Sequence, residues 1–442
     1  MTRILAQVPH FPLLRFGDGA GPGALASAIE RATIRHWISS ETVARDLCTR
    51  PWLEVQPEVR AALLVSITQL LYMPDEPTHA VVDDAVRFVR GRLQQGAGGF
   101  VNAILRKAST LRVGRVKAPD AGEWWDARDL LPLPDGEFMR LAADLLPGDP
   151  LTRLAAQTSH PVALLERWAA ARGIEKTRDL ALHGLLEMPI VVHDGAPTAA
   201  ALSMPPSDGM RPHEASGHFV WGGSVDALNE ALAAHPSWIV QDVASAQAAR
   251  ATVELAPRRI LDACAGRGTK AVQLALMHPN AEVWATDPDA ARMASLRARS
   301  KGLPNLQAVD LADLGGLPSH FDLLLLDVPC SNTGMLARRL EAKYRFTVKA
   351  LEELVRVQRA IAEHHLGLLA PNGRLLYSTC SLDPQENEHQ VKWIAQRVGG
   401  SVISTSEWLP RGRPGGMPAS RTDGSFNALI ASGRRGIVSV TR

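Results

Sequence analysis

Two cysteines stand where a sheet could aim them at a ligand. Phe321–Leu326 is a short, almost wholly apolar run. Its length suits a strand buried on both faces of a parallel sheet and is too short for an independent helix. The run passes directly into Asp327-Val328-Pro329-Cys330-Ser331-Asn332, so a carboxylate, a thiol and two small polar residues follow the strand. In open α/β sheets that carboxyl edge is where ligands bind. Arg374–Thr379 is a second strand-like run, and it ends in Cys380-Ser381. A plain strand-ending turn also uses Asp and Asn, and structural cysteine is common in cores. Two thiols in matching positions, with no metal-ligand spacing between them, point instead to thiolate chemistry.

The third chemical signal lies upstream. Gly266-Arg267-Gly268-Thr269-Lys270-Ala271 fits GxGxxA, and Asp287 follows 19 residues beyond Gly268 at the end of AEVWATD. An acidic residue at that place can accept both ribose hydroxyls of an adenosine. The pattern suits a dinucleotide and S-adenosylmethionine equally, and a glycine turn without ligand has the same form. No GxxxxGK[ST] occurs, which disfavours nucleotide hydrolysis. Methyl transfer to carbon 5 of a pyrimidine needs both a thiol and such a cofactor. That carbon becomes nucleophilic only after a thiolate adds at carbon 6; a base then removes the carbon-5 proton, and elimination frees the enzyme. On the residues alone, either cysteine could be the attacker.

These groups need an α/β frame. RRILDACAGRGTKAVQLALMHPNAEVWATD reads as strand to Asp262, glycine turn, helix from about Lys270 to Met277, and strand to Asp287. Leu354–Leu369 reads as a helix and Pro371-Asn372-Gly373 as a turn before Arg374–Thr379. Alternation of this kind predicts a doubly wound, mainly parallel sheet. Residues 24–107 carry apolar positions at three- and four-residue steps and predict helices almost throughout, with Pro57 and Pro74 as start and stop signals. The glycines of QQGAGGFVNAILRKAS allow close helix packing or leave helix-terminal N–H groups free as a phosphate seat. Residues 108–150, rich in Pro, Gly and Asp, read as a linker with one short helix after Gly136. From Leu151 a helix, the strand MPIVVHDG, an irregular stretch over 196–236 and a strand–helix pair (WIVQDVASAQAARATVEL) follow.

Composition bounds the rest. The 442 residues allow two or three domains, and 46% hydrophobic with 21% charged residues is ordinary for a globular protein. No apolar run reaches the ~18 residues of a membrane span, and the N-terminus lacks the continuous apolar core of a signal peptide. Cys48, Cys264, Cys330 and Cys380 lie far apart without a CxxC pair, which argues against a zinc site or disulfide scaffold and fits a reducing cytoplasm. Residues 1–115 hold 14 Lys+Arg against 10 Asp+Glu, a balance of +4, and the remainder balances to −2. The N-terminal excess suits a polyanionic partner or simply a solvated face.

Here a resemblance becomes specific. QLLYMPDEPTHAVVDDAV followed by GAGGFVNAILRK resembles the NusB-type all-helical RNA-binding fold found in front of bacterial rRNA cytosine-5 methyltransferases, over roughly residues 1–110. DACAGRGTK, DVPCSNTG and YSTCSLDPQENE are similar, in order and spacing, to the nucleotide-binding and catalytic motifs of RNA cytosine-5 methyltransferases. Together the resemblance covers nearly the whole chain. It implies a Rossmann-like S-adenosylmethionine-dependent domain over 251–442, a small α/β subdomain over 146–250, and an all-α NusB-like domain with its linker over 1–145. It implies Cys380 as nucleophile and Cys330 as the thiol that assists product release. Asp327 would face the cofactor or orient the cytosine edge, and Asp310 would face the adenine. The cofactor would lie against Cys264, Ala265, Gly266, Arg267, Gly268, Thr269, Lys270 and Asp287. The family's turn usually reads CAAPGGKT; here Arg267 stands for the proline and Thr269 for a glycine. The NusB-like front implies small-subunit (16S) rRNA as substrate; a cytoplasmic monomer without metal is expected. Competing readings are the same chemistry on tRNA or another RNA, a non-catalytic RNA-binding assembly factor with an altered cofactor turn, and an NAD-linked dehydrogenase. The last leaves both thiol motifs unexplained. On this division, a fragment beginning near Leu151 is expected to keep cofactor binding and bind RNA more weakly.

Overall fold

The computed structural model describes residues 1–14, 23–73, 75–93, 96–117, 123–196, 209–316 and 320–433, so Pro74 lies outside the described residues. The first elements are helices α1 (Thr2–Gln7), α2 (Ala24–Arg35), α3 (Trp37–Leu47), α4 (Pro57–Tyr72), α5 (Thr78–Arg90) and α6 (Ala97–Leu111). Strands β1 (Arg112–Val116), β2 (Leu130–Pro132) and β3 (Phe138–Leu141) follow, then helices α7 (Pro150–Thr158), α8 (Val162–Arg172) and α9 (Ile174–His183). Next come β4 (Ile190–Asp194), β5 (Met210–Pro212), β6 (His218–Trp221), α10 (Val225–Ala234), β7 (Trp238–Val240) and α11 (Val243–Arg250). After these lie β8 (Arg259–Asp262), α12 (Thr269–Met277), β9 (Glu282–Ala285), α13 (Ala290–Ser300), β10 (Leu306–Ala308) and β11 (Phe321–Asp327). The chain closes with α14 (Ala342–Arg345), α15 (Val348–His365), β12 (Leu369–Thr379), α16 (Glu388–Arg397), β13 (Ser401–Trp408) and β14 (Ser425–Ala431).

The chain packs as two units. One comprises Met1–Glu187, Leu336–Val348 and Gly412–Gly416; the other comprises Met188–Met335, Lys349–Arg411 and Met417–Arg442. In the first, α4 is the axis. PEVRAALLVSITQLLY is apolar on every side, and a helix of that kind must lie inside. Pro57 opens it, as expected, and α2, α3, α5 and α6 pack around it. Ile34, Leu63, Leu64, Ile67, Val89 and Leu105 are among the buried residues of this core. Removing each from water contributes about 1.5–3 kcal/mol. The segment Leu336–Val348 returns to the same core, where Leu340 and Tyr344 are buried. The Lys343 ammonium donates to the Arg35 carbonyl at 2.8 Å, and the Tyr344 hydroxyl to the Ile34 carbonyl at 2.6 Å.

Two expectations fail here. The stretch after α6 is an antiparallel sheet in the order β1-β3-β2, and the residues after Gly136 form β3 rather than a helix. Gly136 has φ 88° and turns β2 back onto β3, where Phe138, Met139 and Leu141 are buried. Residues 118–122 of that stretch lie outside the described residues. Likewise 196–236 is not irregular throughout. Strands β5 and β6 and helix α10 occupy it, in a four-stranded antiparallel sheet of order β5-β6-β4-β7; residues 197–208 lie outside the described residues.

The second unit's main sheet has the order β10-β9-β8-β11-β12-β14-β13. Strands β10, β9, β8, β11 and β12 are parallel, while β14 runs antiparallel to both β12 and β13. This is the doubly wound, mainly parallel sheet that the alternating pattern predicts. Strand β11 lies between β8 and β12, and Leu323, Leu324, Leu325 and Leu326 are wholly buried, which is why the run is continuously apolar. Pro371-Asn372-Gly373 bulges within β12, where the register with β11 jumps between Phe321 and Leu323 and Asn372 takes φ 60°.

Candidate active site

Parallel pairing brings the carboxyl ends of β8, β9, β11 and β12 to one edge of the sheet. Asp262 ends β8, Asp287 follows β9, Asp327 ends β11 and Cys380 follows β12. The turn after β8 winds back through Gly266 at φ 57° and Gly268 at φ 88°. These left-handed positions favour glycine, and a Cβ on Gly268 would also meet Leu296 Cδ1 at 2.6 Å. Thr269 opens α12 and Arg267 is exposed, so neither departure from the family's turn falls on a left-handed position. Thr269 Oγ1 accepts from Arg299 Nη1 at 3.0 Å.

The carboxylates hold this turn. Asp287 Oδ2 accepts the Gly266 N–H at 3.0 Å, and Oδ1 accepts the Asp289 N–H at 2.9 Å. The Ala265 N–H reaches the Thr286 carbonyl at 2.9 Å. Asp262 Oδ1 accepts the Cys264 N–H at 3.2 Å, while its Oδ2 is buried without a partner among the described residues. Burial, and then the nearby Asp327 charge, push the Asp262 carboxyl up to about 7. Burial likewise pushes the Cys264 thiol up. Lys270 Nζ meets Asp327 Oδ2 at 2.7 Å. Burial pulls the Lys270 ammonium down, but the Asp327 charge and hydrogen bond outweigh it and the net direction is up. Asp310 lies farther along the same edge: it follows β10, two strands from β8, and pairs at the surface with Arg297 Nη2 at 2.6 Å.

The two thiols meet. Cys330 Sγ lies 3.1 Å from Cys380 Sγ, although 50 residues separate them. Cys330 is buried, and contact with Cys380 followed by burial holds its proton well above the usual thiol range. Asn332, in the left-handed region at φ 59°, donates to the Cys330 carbonyl at 2.8 Å and accepts from Cys380 Sγ at 3.2 Å. Gly334 donates to the Cys380 carbonyl at 2.9 Å. A Cβ there would lie 2.6 Å from the Gly424 carbonyl oxygen and 2.8 Å from that of Cys380, so only glycine lets the loops close. Sequence reasoning reads Asn332 only as a turn residue and passes over Glu386. The one signal for Glu386 is its place in DPQENE, six residues after Cys380.

Residues 253–409 match the family model for 16S rRNA methyltransferase RsmB/F, and residues 21–110 match the NusB family. Over those residues the chain is similar to the RsmB/F family, and its helical front to the NusB family. It is an RNA methyltransferase that takes its methyl group from S-adenosylmethionine. Ribosomal RNA small subunit methyltransferase B of Salmonella newport is 29% identical over 406 residues, covering 88% of this chain and 86% of that protein. The protein of the same name from Xanthomonas campestris is 29% identical over 427 residues, covering 92% and 88%. The crystal structure of PH0851 shares the fold of the methyltransferase, with TM-score 0.64 and 21% identity over 92% of this chain and 89% of that one.

Proposed function

We propose that this enzyme methylates carbon 5 of a cytosine in 16S rRNA through a transient bond between Cys380 and carbon 6. The observation that carries the reading is the 3.1 Å approach of Cys330 and Cys380 beside the Lys270–Asp327 pair, at the sheet edge that bears the cofactor turn. The named relatives act on small-subunit rRNA, which supports that substrate and a cytoplasmic place of work. The residues present fit S-adenosylmethionine. Asp287 and the turn from Cys264 to Lys270 would hold it, with Asp310 toward the adenine, and the unpartnered Asp262 Oδ2 is a buried acceptor beside that turn. When bound, the cofactor supplies an electrophilic methyl group at a sulfonium.

The Cys380 thiolate adds to carbon 6, and the ring electrons make carbon 5 the nucleophile. After methyl transfer a base takes the carbon-5 proton, the sulfur–carbon bond breaks, and the electron pair returns to Cys380. Cys330 keeps its proton and is the helper at that release. Asp327, fixed by Lys270, orients the cytosine edge or the cofactor. Residues 1–145 would grip RNA, 146–250 would serve as a small subdomain, and 251–442 would do the chemistry. Cys380→Ala should be inactive and show no RNA-linked species on a denaturing gel. Cys330→Ala should be nearly inactive yet accumulate a protein–RNA adduct that requires S-adenosylmethionine. An adduct in Cys380→Ala instead would reverse the roles. Undiminished activity in both variants would end the covalent reading. Bisulfite sequencing of rRNA from a deletion strain identifies the base.

A further inference from the structure

Glu386 is wholly buried, and among the described residues no basic side chain pairs with it. An unpaired buried carboxylate is costly unless several donors converge on it. Four do. Oε1 accepts the Ser331 N–H and Gln358 Nε2, both at 2.9 Å. Oε2 accepts the hydroxyls of Ser331 and Ser381, each at 2.5 Å. Ser331 directly follows Cys330, and Ser381 directly follows Cys380. Gln358 also donates to the Pro329 carbonyl at 3.0 Å, and the Tyr377 hydroxyl holds the Glu386 carbonyl at 2.7 Å. One carboxylate thus ties together the two loops that carry the thiols.

We propose that Glu386 is the positioning residue that sets the spacing of the two thiols, buckling the Cys330 loop to the Cys380 loop through Ser331 and Ser381. Its importance for the reaction rests on the covalent reading above; its control of spacing does not. A carboxylate suits the place because donors converge on both of its oxygens. A glutamine amide would keep one acceptor oxygen for the Ser331 N–H and Gln358 Nε2, and its NH2 group would force the Ser331 and Ser381 hydroxyls to turn from donating to accepting.

Two measurements on the full chain separate these levels. Diamide oxidises a close thiol pair: both thiols give up a proton and an electron, the disulfide forms and diamide becomes the hydrazine. Mass spectrometry then reads the rate at which Cys330 and Cys380 join. The pair should join readily in the parent. It should join more slowly in Glu386→Ala and in the double variant Ser331→Ala/Ser381→Ala, while calorimetry finds S-adenosylmethionine affinity unchanged. Joining at the parental rate in the double variant overturns the proposal, and that variant decides the matter if Glu386→Ala fails to fold. The second measurement places Glu386→Gln in the Cys330→Ala background. Adduct formation should fall by roughly a hundredfold, the cost of an ångström-scale misplacement of reacting groups. Glu386→Asp should restore part of it. A parental adduct rate in Glu386→Gln would reduce Glu386 to a support of the fold. If Cys330→Ala itself forms no adduct, the covalent reading falls, while the diamide rates still judge the spacing.

Discussion

Asp262 shows how the carboxyl edge of the sheet couples to pH. Its carboxyl titrates at about 7 in the folded chain, against about 3.9 when unfolded. The folded state therefore holds a proton that the unfolded state has already released. That contribution is fully present below about pH 4 and is lost as pH rises through the folded value. The gap corresponds to about 4 kcal/mol between the two ends of the window. Urea unfolding of the cofactor-free protein at about pH 5 and about pH 8 should show a loss of stability that Asp262→Asn lacks. Parallel losses in parent and variant would remove Asp262 as the cause. At this scale the sequence is informative where one short stretch carries the chemistry. Cys330, Cys380 and Asp287 each end or follow a strand that announces itself by its apolar run. Glu386 and the reach of Asn332 to Cys380 are not legible in the same way. Their partners are set by the meeting of two loops 50 residues apart, which no local spacing encodes.

Among the elements, long patterns are legible and short ones are not. Helices α2 to α6 repeat their apolar positions over many turns, and β11 is continuously apolar because strands flank it on both sides. Strands β2 and β5 have three residues each, too few for an alternation to emerge. Only pairing with neighbours makes them strands. Helix α6 also carries a test of the RNA-binding role. Arg106 and Lys107 are adjacent and exposed on it, and α5 adds exposed Arg87 and Arg90. Arg106→Glu/Lys107→Glu should weaken binding of small-subunit rRNA fragments while leaving S-adenosylmethionine affinity intact. The logarithmic salt slope should become shallower by about 0.7–0.9 for each phosphate that is no longer neutralised. An unchanged slope would assign the basic face of α6 to plain solvation.

At the level of the whole chain, Leu336–Val348 revises the expectation for a fragment beginning near Leu151. Such a fragment lacks α2 and α3. Lys343 and Tyr344 are then deprived of the carbonyls of Arg35 and Ile34, and Leu340 and Tyr344 of the core that covers them. Burial and the Arg35 charge hold the Lys343 ammonium well below the usual lysine range, so its place is one that only the complete unit provides. In the fragment Leu336–Val348 should therefore be open to limited proteolysis, as it is not in the full protein, while the second unit, whole in the fragment, resists. Equal resistance of the segment in fragment and full protein would show that it folds without its partners.

The same segment sets an order of events during synthesis. Lys343 lies 308 residues after the carbonyl it must find. Translation at about 5–20 residues per second delivers that lysine on the order of ten seconds after the helical front has left the ribosome. Until then the front waits with an open seam where Leu340 and Tyr344 will lie. It is finished only after the thiol Cys330 has been made, so the nascent chain completes its N-terminal unit late, around a piece of its own C-terminal half.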